Sequence, residues 1–306
     1  MEAPMVPEAP LPTRKPPKGA RGAKIAKHSG ILMVMGLGVR GLDALVSIIL
    51  ARYLAPQGFG LMAFALSYTN LFSLLPGLGM GTLVTRDVAQ DPSKLGPYLS
   101  NGLAAKTLLA GLTLLVVWIA TIVLRFDPTK QTVVMWAAVL MVCENNVRFA
   151  LSFFQASQRM TTVALTNIGV RVGWLVGSFV VIGLHGGVKD LVIIRVLATA
   201  LGLLLSLALI QSRLGRVRWT VEPAFIGRLV KAAIPFALFR LFGQVYTDID
   251  TVMLSAMRGD ASAGLYAAGN KIARVFGFVK QGFAGAFLPA LSKFSKDSKP
   301  QLARAV

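Results

Sequence analysis

The sequence predicts an all-α polytopic membrane protein with about eight transmembrane helices. The 306-residue chain is 55% hydrophobic and only 15% charged, and its mean hydropathy is +0.65. These values lie far from those of an ordinary soluble domain. The apolar residues also recur in runs of about 20, the length that an α-helix needs to cross a bilayer core. Most basic residues fall between these runs.

The first 29 residues differ in composition from the rest of the chain. Six prolines precede position 18, six basic residues follow through the segment, and few apolar residues stand at helical spacing. Such a segment cannot bury enough apolar surface to fold. We therefore predict a disordered basic tail over 1–29 that contacts anionic membrane lipids from the cytoplasm.

Eight apolar segments are long enough to cross a membrane. They lie at about 30–51, 60–82, 103–124, 132–153, 163–184, 191–212, 230–255 and 263–289. Pro76 and Pro235 fall inside two of these segments, where we expect kinks. A basic segment, 213–229, separates six spans from the last two. We interpret it as an amphipathic linker at the membrane surface, with an ordinary basic loop as the alternative.

The loops give the orientation, because cytoplasmic loops are enriched in Lys and Arg. If the N-terminus is cytoplasmic, eighteen basic residues fall on that side of the membrane. Five fall on the other side, namely Arg52, Arg125, Lys130, Lys189 and Arg258. This asymmetry predicts a protein of the cytoplasmic membrane with both termini in the cytoplasm.

Charged residues inside the spans are the candidate functional residues, since an isolated charge at mid-bilayer costs at least about 2.5 kcal/mol. Arg40 and Asp43 lie on one face of the first span, with Gly36 and Ser47. The deepest basic residues by position are Arg40, Arg171, Lys271 and Arg274. We expect their side chains to face the protein interior or an aqueous cavity.

Other charges in the spans have simpler interpretations. Lys106, Arg195 and Lys280 lie near span ends, where their side chains can reach the membrane surface. Glu144 and Arg148 are four residues apart and predict an ion pair within one helix. In total the spans hold nine basic and four acidic residues. This positive excess predicts a cavity that favours an anion, and guanidinium groups match phosphate oxygens well.

The sequence shows no arrangement for catalysis, and we predict that the protein is not an enzyme and has no cofactor. His28, His185 and Cys143 have no partners at metal-ligand spacing. Asp248 and Asp250 form a D-x-D pair, but on the predicted topology it lies where nucleotide sugars are absent. The basic residues do not lie on a solvated face with stacking aromatics, which argues against nucleic acid.

Two blocks of the chain resemble a known family. The first, ILARYLAPQGFGLMAFALSYTNLFSLLPGLGMGTLVTRDVAQ, covers residues 49–90, and the second, TDIDTVMLSAMRGDASAGLYAAGNKIARVFGFVKQGFAGAFLPALS, covers residues 247–292. They are similar to polysaccharide-biosynthesis membrane proteins, the oligosaccharide flippases of the multidrug/oligosaccharidyl-lipid/polysaccharide exporter superfamily. The matching positions are Ala51, Arg52, Leu54, Pro56, Phe59, Gly60, Gly77, Leu78, Gly79, Arg86, Asp250, Leu254, Gly264, Tyr266, Ala267, Lys271 and Pro289. Ala55 stands where the family usually has glycine.

The resemblance implies a transporter that flips a polyprenyl-diphosphate-linked oligosaccharide across the membrane by alternating access between two helical lobes. Family members have a cationic central cavity for the diphosphate and the sugar. On the matching helices, the substrate-binding residues would be Arg40, Asp43, Arg171, Arg240, Lys271 and Arg274, with Asp43 tuning Arg40. A polysaccharide polymerase is a candidate partner, and H⁺ and Na⁺ both stay open as the coupling ion.

The family usually has twelve to fourteen spans in two lobes, whereas this chain ends after its eighth. Residues 30–212 would form the first lobe and 230–292 the first hairpin of the second. Residues 293–306 would be a cytoplasmic tail or a truncated loop. The alternatives are therefore a lipid II flippase, which would also need a basic cavity, and a truncated fragment that does not transport.

Overall fold

The computed structural model describes residues 38–39, 41–214, 220–271 and 273, with the backbone alone at 238–241. These residues form helices joined by short connections, and no strand occurs among them. The first helix, α1, covers 41–53, and the last, α9, covers 260–271. Between them lie α2 (Ala55–Leu71), α3 (Met80–Gln90), α4 (Leu95–Val123), α5 (Pro128–Ala156), α6 (Met160–Gly183), α7 (Val188–Arg213) and α8 (Pro223–Arg258). One turn of 3₁₀ helix, Pro92–Lys94, precedes α4.

The predicted class, an all-α membrane protein, is confirmed. Four segments of the described chain are both helical and long and apolar enough to cross a membrane: Pro92–Val123, Pro128–Ala156, Met160–Gly183 and Val188–Arg213. They match the third to sixth predicted spans. Local signals set their limits, since Asp127 accepts a hydrogen bond from the Lys130 amide (2.9 Å) and Pro128 occupies the first turn of α5.

The second predicted span, 60–82, is not one helix. Residues 72–79 form successive turns that separate α2 from α3, and Gly79 has φ +72°, in the left-handed region. Side chains from other helices bind the carbonyl groups that this break releases. Lys106 Nζ donates to the Pro76 carbonyl (2.8 Å) and Asn145 Nδ2 to the Ser73 carbonyl (3.3 Å).

The position of Lys106 in the sequence predicted that its side chain reaches the membrane surface. In the structure it does not. Its side chain lies inside the bundle and the residue is only 2% exposed. The ammonium group also lies over the Phe149 ring, 5.4 Å from its centre. The prediction was wrong because the broken helix provides an internal carbonyl acceptor that the sequence pattern does not reveal.

The connections between helices lie alternately at two ends of the bundle. At one end Tyr53 Oη, at the close of α1, donates to the Gly186 carbonyl between α6 and α7 (2.9 Å). At the other end, the Asn101 side chain of α4 accepts from the Glu222 amide (2.7 Å) and so anchors the chain just before α8. Residues 223–229 of the predicted linker form the first turns of α8.

Two clusters of buried side chains form the core. One lies around Phe59, Phe64, Tyr68 and Trp174, where α1, α2, α5, α6 and α7 meet. The other lies around Phe149, Phe153 and Phe154 of α5 and receives Leu229 and Ala233 from α8. The long helix α8 thus packs on the other helices even though Pro235 lies within it. Both clusters border polar cavities.

The first residue of α2 has an unfavourable backbone conformation. Ala55 has φ +55°, in the left-handed region where a Cβ atom costs roughly 1–2 kcal/mol. This is the position at which the resembling family usually has glycine. The conformation gives a physical reason for that preference.

We expect Ala55→Gly to stabilise the protein by about 0.5–1 kcal/mol, because glycine removes the clash and only part of the gain is lost to the flexibility of the unfolded chain. Thermal unfolding in detergent would measure the shift. The control is Ala104→Gly in the interior of α4, which should lower stability by about 1 kcal/mol. Equal losses in both variants would contradict this prediction.

Candidate substrate cavities

The structure describes the side chains of three of the six predicted site residues, Asp43, Arg171 and Lys271. Arg40 and Arg274 lie outside the described residues, and the Arg240 side chain does too. The three described residues do not share one cavity wall. Asp43 and Arg171 pair with each other, whereas Lys271 lines a separate space.

The pair joins α1 to α6. Arg171 Nη1 lies 3.3 Å from Asp43 Oδ1, and both side chains are about one-third exposed. In the sequence, Asp43 was expected to tune Arg40, one turn earlier on its own helix. The structure provides Asp43 with a partner on another helix, and the predicted relation to Arg40 lies outside the described residues. A guanidinium paired in this way keeps donors for a second anion, because its fork carries five N–H groups.

The first cavity, which we call the central cavity, has a volume of approximately 230 Å³. It lies between α2, α5 and α7 on one side and α8 and α9 on the other. Its charged lining residues among those described are Glu144, Arg195, Asp248 and Lys271. Two positive and two negative side chains balance formally, so this part of the lining does not have the positive excess that the sequence predicts.

Arg195 of α7 lines this cavity and contacts two neighbouring side chains. Its Nη2 donates to Glu144 Oε1 (2.9 Å), and its guanidinium lies over the Trp174 ring at 4.5 Å. The Arg195 side chain is only 17% exposed. The prediction that Arg195 reaches the membrane surface was therefore wrong, because a carboxylate 51 positions earlier in the chain binds it inside the bundle.

Glu144 also contacts Arg148, the partner that the sequence predicts for it. Arg148 Nη1 lies 3.7 Å from Glu144 Oε2, so the predicted pair within α5 is present but is the longer of the two. Because the two oxygens of one carboxylate contact two arginines, Glu144 links the central cavity to the region around Arg148.

Lys271 and Asp248 face the central cavity from the last two helices. Lys271 Nζ donates to Ser47 Oγ of α1 and lies 5.9 Å from the centre of the Phe59 ring. Asp248, which is buried, accepts from Gln244 on its own helix and from Ser67 Oγ of α2 at 3.4 Å. These bonds connect α8 and α9 to α1 and α2 across the cavity.

A second cavity, which we call the basic cavity, has a volume of approximately 520 Å³. Helices α3, α4, α5 and α6 form its wall. Arg86, Lys106 and Arg148 line it, and no acidic residue occurs among its described lining residues. Hydroxyl and amide side chains, including Thr85, Ser152, Gln155 and Asn167, complete the lining. The arrangement suits a ligand with several anionic oxygens.

Neighbouring groups also hold Arg86 and Lys106, as Glu144 does Arg148. Arg86 Nε donates to Asp87 Oδ1 (2.7 Å), and Tyr98 Oη donates to Asp87 Oδ2 (2.7 Å). Partial burial raises the pKa of Asp87, but the hydrogen bonds from Arg86 and Tyr98 outweigh this effect and hold that pKa below its ordinary value. Asp87 therefore stays ionised at neutral pH and keeps Arg86 in place. Lys106 is held by the Pro76 carbonyl.

Sequence reasoning did not single out the basic cavity. Lys106 was interpreted as a surface residue, Arg148 as a structural partner of Glu144, and Arg86 as a position that matches the family. One signal was available, since Arg148, Ser152 and Gln155 recur at spacings of four and three and so lie on one face of α5. No sequence pattern indicated that α3 and α4 would add two bases to that face.

Comparison with protein families shows which family the chain belongs to. A family model described as polysaccharide biosynthesis protein matches residues 25–295. The chain belongs to this family. No curated protein and no solved structure gives a significant match.

The family and the fold agree. Members of the polysaccharide biosynthesis family are flippase-type membrane transporters rather than enzymes, and the described helices have the length and composition of membrane spans. Residues 25–295 include every described helix. Both cavities therefore lie within the region that matches the family. They are the candidate transport sites of this polysaccharide biosynthesis protein.

Proposed function

We propose that this protein flips a polyprenyl-diphosphate-linked oligosaccharide across the cytoplasmic membrane by alternating access, with both termini in the cytoplasm. The family membership supports flippase-type transport. The observation that carries the finer proposal is the basic cavity, which three basic side chains from three helices line without a described carboxylate. A diphosphate is the part of such a substrate that this lining would attract.

The chemistry of the basic cavity fits a diphosphate. Arginine forks bind phosphate oxygens in pairs, and lysine adds a compact positive charge. A cavity of 520 Å³ lies within the usual range of about 300–1,000 Å³ for ligand sites. The attraction is stronger than in bulk water because the surrounding helices lower the local dielectric constant. The polyprenyl chain would stay in the lipid, and the hydroxyl and amide groups would hydrogen-bond the first sugar.

The residues predicted from the sequence extend this proposal along the transport path. Arg171, with Asp43 beside it, would offer its remaining donors to the headgroup. Lys271 would act from the central cavity. Arg40, Arg240 and Arg274 remain proposed contacts on the strength of the sequence pattern and the family resemblance. On this proposal the headgroup would pass from the basic cavity to the central cavity as the lobes move.

Neutralising two bases of the basic cavity tests the proposal. We expect Arg86→Gln/Arg148→Gln to reduce flipping of the lipid-linked oligosaccharide by about tenfold or more, since each charge-assisted hydrogen bond contributes about 1.5–3 kcal/mol. The measurement is flipping by the full protein in proteoliposomes, together with surface polysaccharide in cells. Lys189→Gln, an exposed change at the other end of the bundle, is the control and should transport normally.

The same assay separates the remaining alternatives. Normal flipping in the double variant would contradict the role of the basic cavity. Flipping of lipid II, with no activity towards the polysaccharide precursor, would identify a lipid II flippase. A folded protein that moves neither lipid, even in its unaltered form, would favour a fragment that does not transport.

A further inference from the structure

A charged contact at one end of the bundle connects the two groups of helices on either side of the central cavity. Lys130 in the first turn of α5 binds Asp260, the first residue of α9, with Nζ 2.8 Å from Oδ1. The same ammonium donates to Ser255 Oγ near the end of α8 (3.1 Å). Ser255 Oγ in turn donates to Asp260 Oδ1. We call Lys130, Ser255 and Asp260 the corner contact.

Aromatic rings complete the environment of the lysine. Lys130 Nζ lies 3.8 Å from the centre of the Phe64 ring of α2 and 5.6 Å from that of Phe126. A cation at this distance is attracted by the ring face. The corner contact therefore joins α8 and α9 to α2 and α5 through one side chain.

Backbone packing beside the corner contact is unusually close. A Cβ atom added at Gly60 of α2 would overlap the Asp260 carbonyl, and one added at Gly264 of α9 would overlap the Pro56 carbonyl. The start of α9 thus lies directly on the start of α2. Glycine at both positions allows this close approach of the two backbones.

The corner contact covers the central cavity. On α8, Ser255 lies one helical turn from Thr251, which lines the cavity, and on α9, Gly264 lies about one turn from Ala267, which also lines it. On α2, Gly60 stands just before Met62 and Ala63 of the lining. The corner contact therefore lies about one helical turn beyond the cavity lining on helices that bound the cavity.

We propose that the corner contact is a releasable latch, which closes the central cavity at the end of the bundle that carries the α4–α5, α6–α7 and α8–α9 connections. The Lys130 and Asp260 side chains are 16% and 21% exposed, so water reaches the pair and can solvate both charges when it opens. An ion pair of this kind contributes on the order of 1 kcal/mol, which suits a contact that must form and break in each cycle.

The direction of opening rests on the proposed transport function, in which this end faces outward. The latch itself rests on geometry alone. Opening would move the α8–α9 corner away from α2 and α5 and expose Thr251 and its neighbours. The basic cavity lies outside this movement, because its described wall comes from α3, α4, α5 and α6. The latch and the basic cavity can therefore be tested separately.

Cysteine labelling tests the latch. A Thr251→Cys reporter in a Cys143→Ser background places one thiol in the central cavity, and intact cells expressing the full chain are treated with a membrane-impermeant maleimide. We expect Lys130→Gln and Asp260→Asn each to raise the labelling rate by about threefold to tenfold, the range that a pair of this strength allows. Asn70→Cys, also in the cavity lining, is a second reporter in case the first disturbs folding.

Two controls make the result specific. Lys130→Asp/Asp260→Lys restores an opposite charge pair and should return labelling towards the unaltered rate. Lys94→Gln removes an exposed ion pair with Asp91 at the other end of the bundle and should change nothing. Unchanged labelling in both single variants, with both reporters, would overturn the latch.

The outcomes also distinguish the latch from the transport proposal. Faster labelling in the variants only when the reagent is applied to inside-out vesicles would support the latch and overturn the proposed orientation. Faster labelling from outside, with no lipid flipped by the unaltered protein, would support the latch and overturn the proposed function.

Discussion

Gly60→Ala is expected to destabilise the protein by about 3 kcal/mol or more, the largest single effect that the structure predicts. The new Cβ atom would overlap the Asp260 carbonyl and lie 2.9 Å from the Gly264 amide nitrogen. Both obstacles belong to the backbone, which cannot rotate away as a side chain can. The start of α9 must therefore move off α2, and the bonds of Asp260 and Lys271 to the other helices would be strained or lost.

Thermal unfolding of the purified protein in detergent measures this effect. We expect a fall in Tm of at least about 5 °C for Gly60→Ala. Gly111→Ala is the matched control, because Gly111 is an exposed helical glycine of α4 with no atom within 4 Å of the added Cβ. This change should be neutral or slightly stabilising, since alanine favours the helix by about 1 kcal/mol. Similar Tm values for the two variants would show that α9 does not contact α2 in this way.

The most predictable parts of the fold are the helices whose length and limits can be recognised from their own sequence. The segments α4 to α7 are long, apolar and bounded by turns, so their number and approximate limits follow from the sequence. The break between α2 and α3 was less predictable. Pro76 suggested a kink, but a break of eight residues requires hydrogen-bond donors on other helices, here Lys106 and Asn145, which periodicity within one segment cannot identify.

The candidate site residues stay a prediction, but their surroundings show what position in a span can and cannot indicate. Asp43 and Arg171, expected to face the protein, meet across two helices. Position near a span end predicted wrongly that Arg195 and Lys106 reach the membrane surface. The path of a long side chain depends on which partner lies nearby in space. For Arg195 that partner is Glu144, and for Lys106 it is the Pro76 carbonyl.

The ion pairs between helices also affect how charge is distributed around the two cavities. The excess of basic over acidic residues was counted over all the predicted spans together. Among the described residues, this excess is not the same around the two cavities. Two carboxylates line the central cavity with its two bases, whereas the described lining of the basic cavity has three bases and no carboxylate, and Asp87 and Glu144 contact two of those bases from outside the lining. On the proposed function, an anionic headgroup would therefore meet fewer carboxylates in the basic cavity. Glu144 lies between the two cavities and contacts an arginine of each.

Glu144→Gln is expected to have two opposite effects. It removes the charge that binds Arg195 at 2.9 Å and Arg148 at 3.7 Å, so the protein should lose about 2 kcal/mol of stability. A fully buried pair would lose about 3–5 kcal/mol when one partner is removed, but the Glu144 side chain is 24% exposed, which lowers the cost. At the same time, Arg148 no longer shares its charge with a carboxylate. The basic cavity should therefore bind an anion more tightly.

Both effects can be measured on the purified full chain. Thermal unfolding gives the stability, and titration with inorganic pyrophosphate gives the affinity, which should rise by about threefold to tenfold at low salt. Glu144→Gln/Arg195→Gln removes both members of the closer pair and should recover part of the lost stability. Asp91→Asn removes the charge of the exposed pair with Lys94 but keeps an amide oxygen that can accept the two bonds from Ser93, so it should change stability by less than about 0.5 kcal/mol. Weaker pyrophosphate binding in Glu144→Gln would show that Arg148 needs this carboxylate to face the ligand, and so that Glu144 orients the arginine rather than restrains its charge.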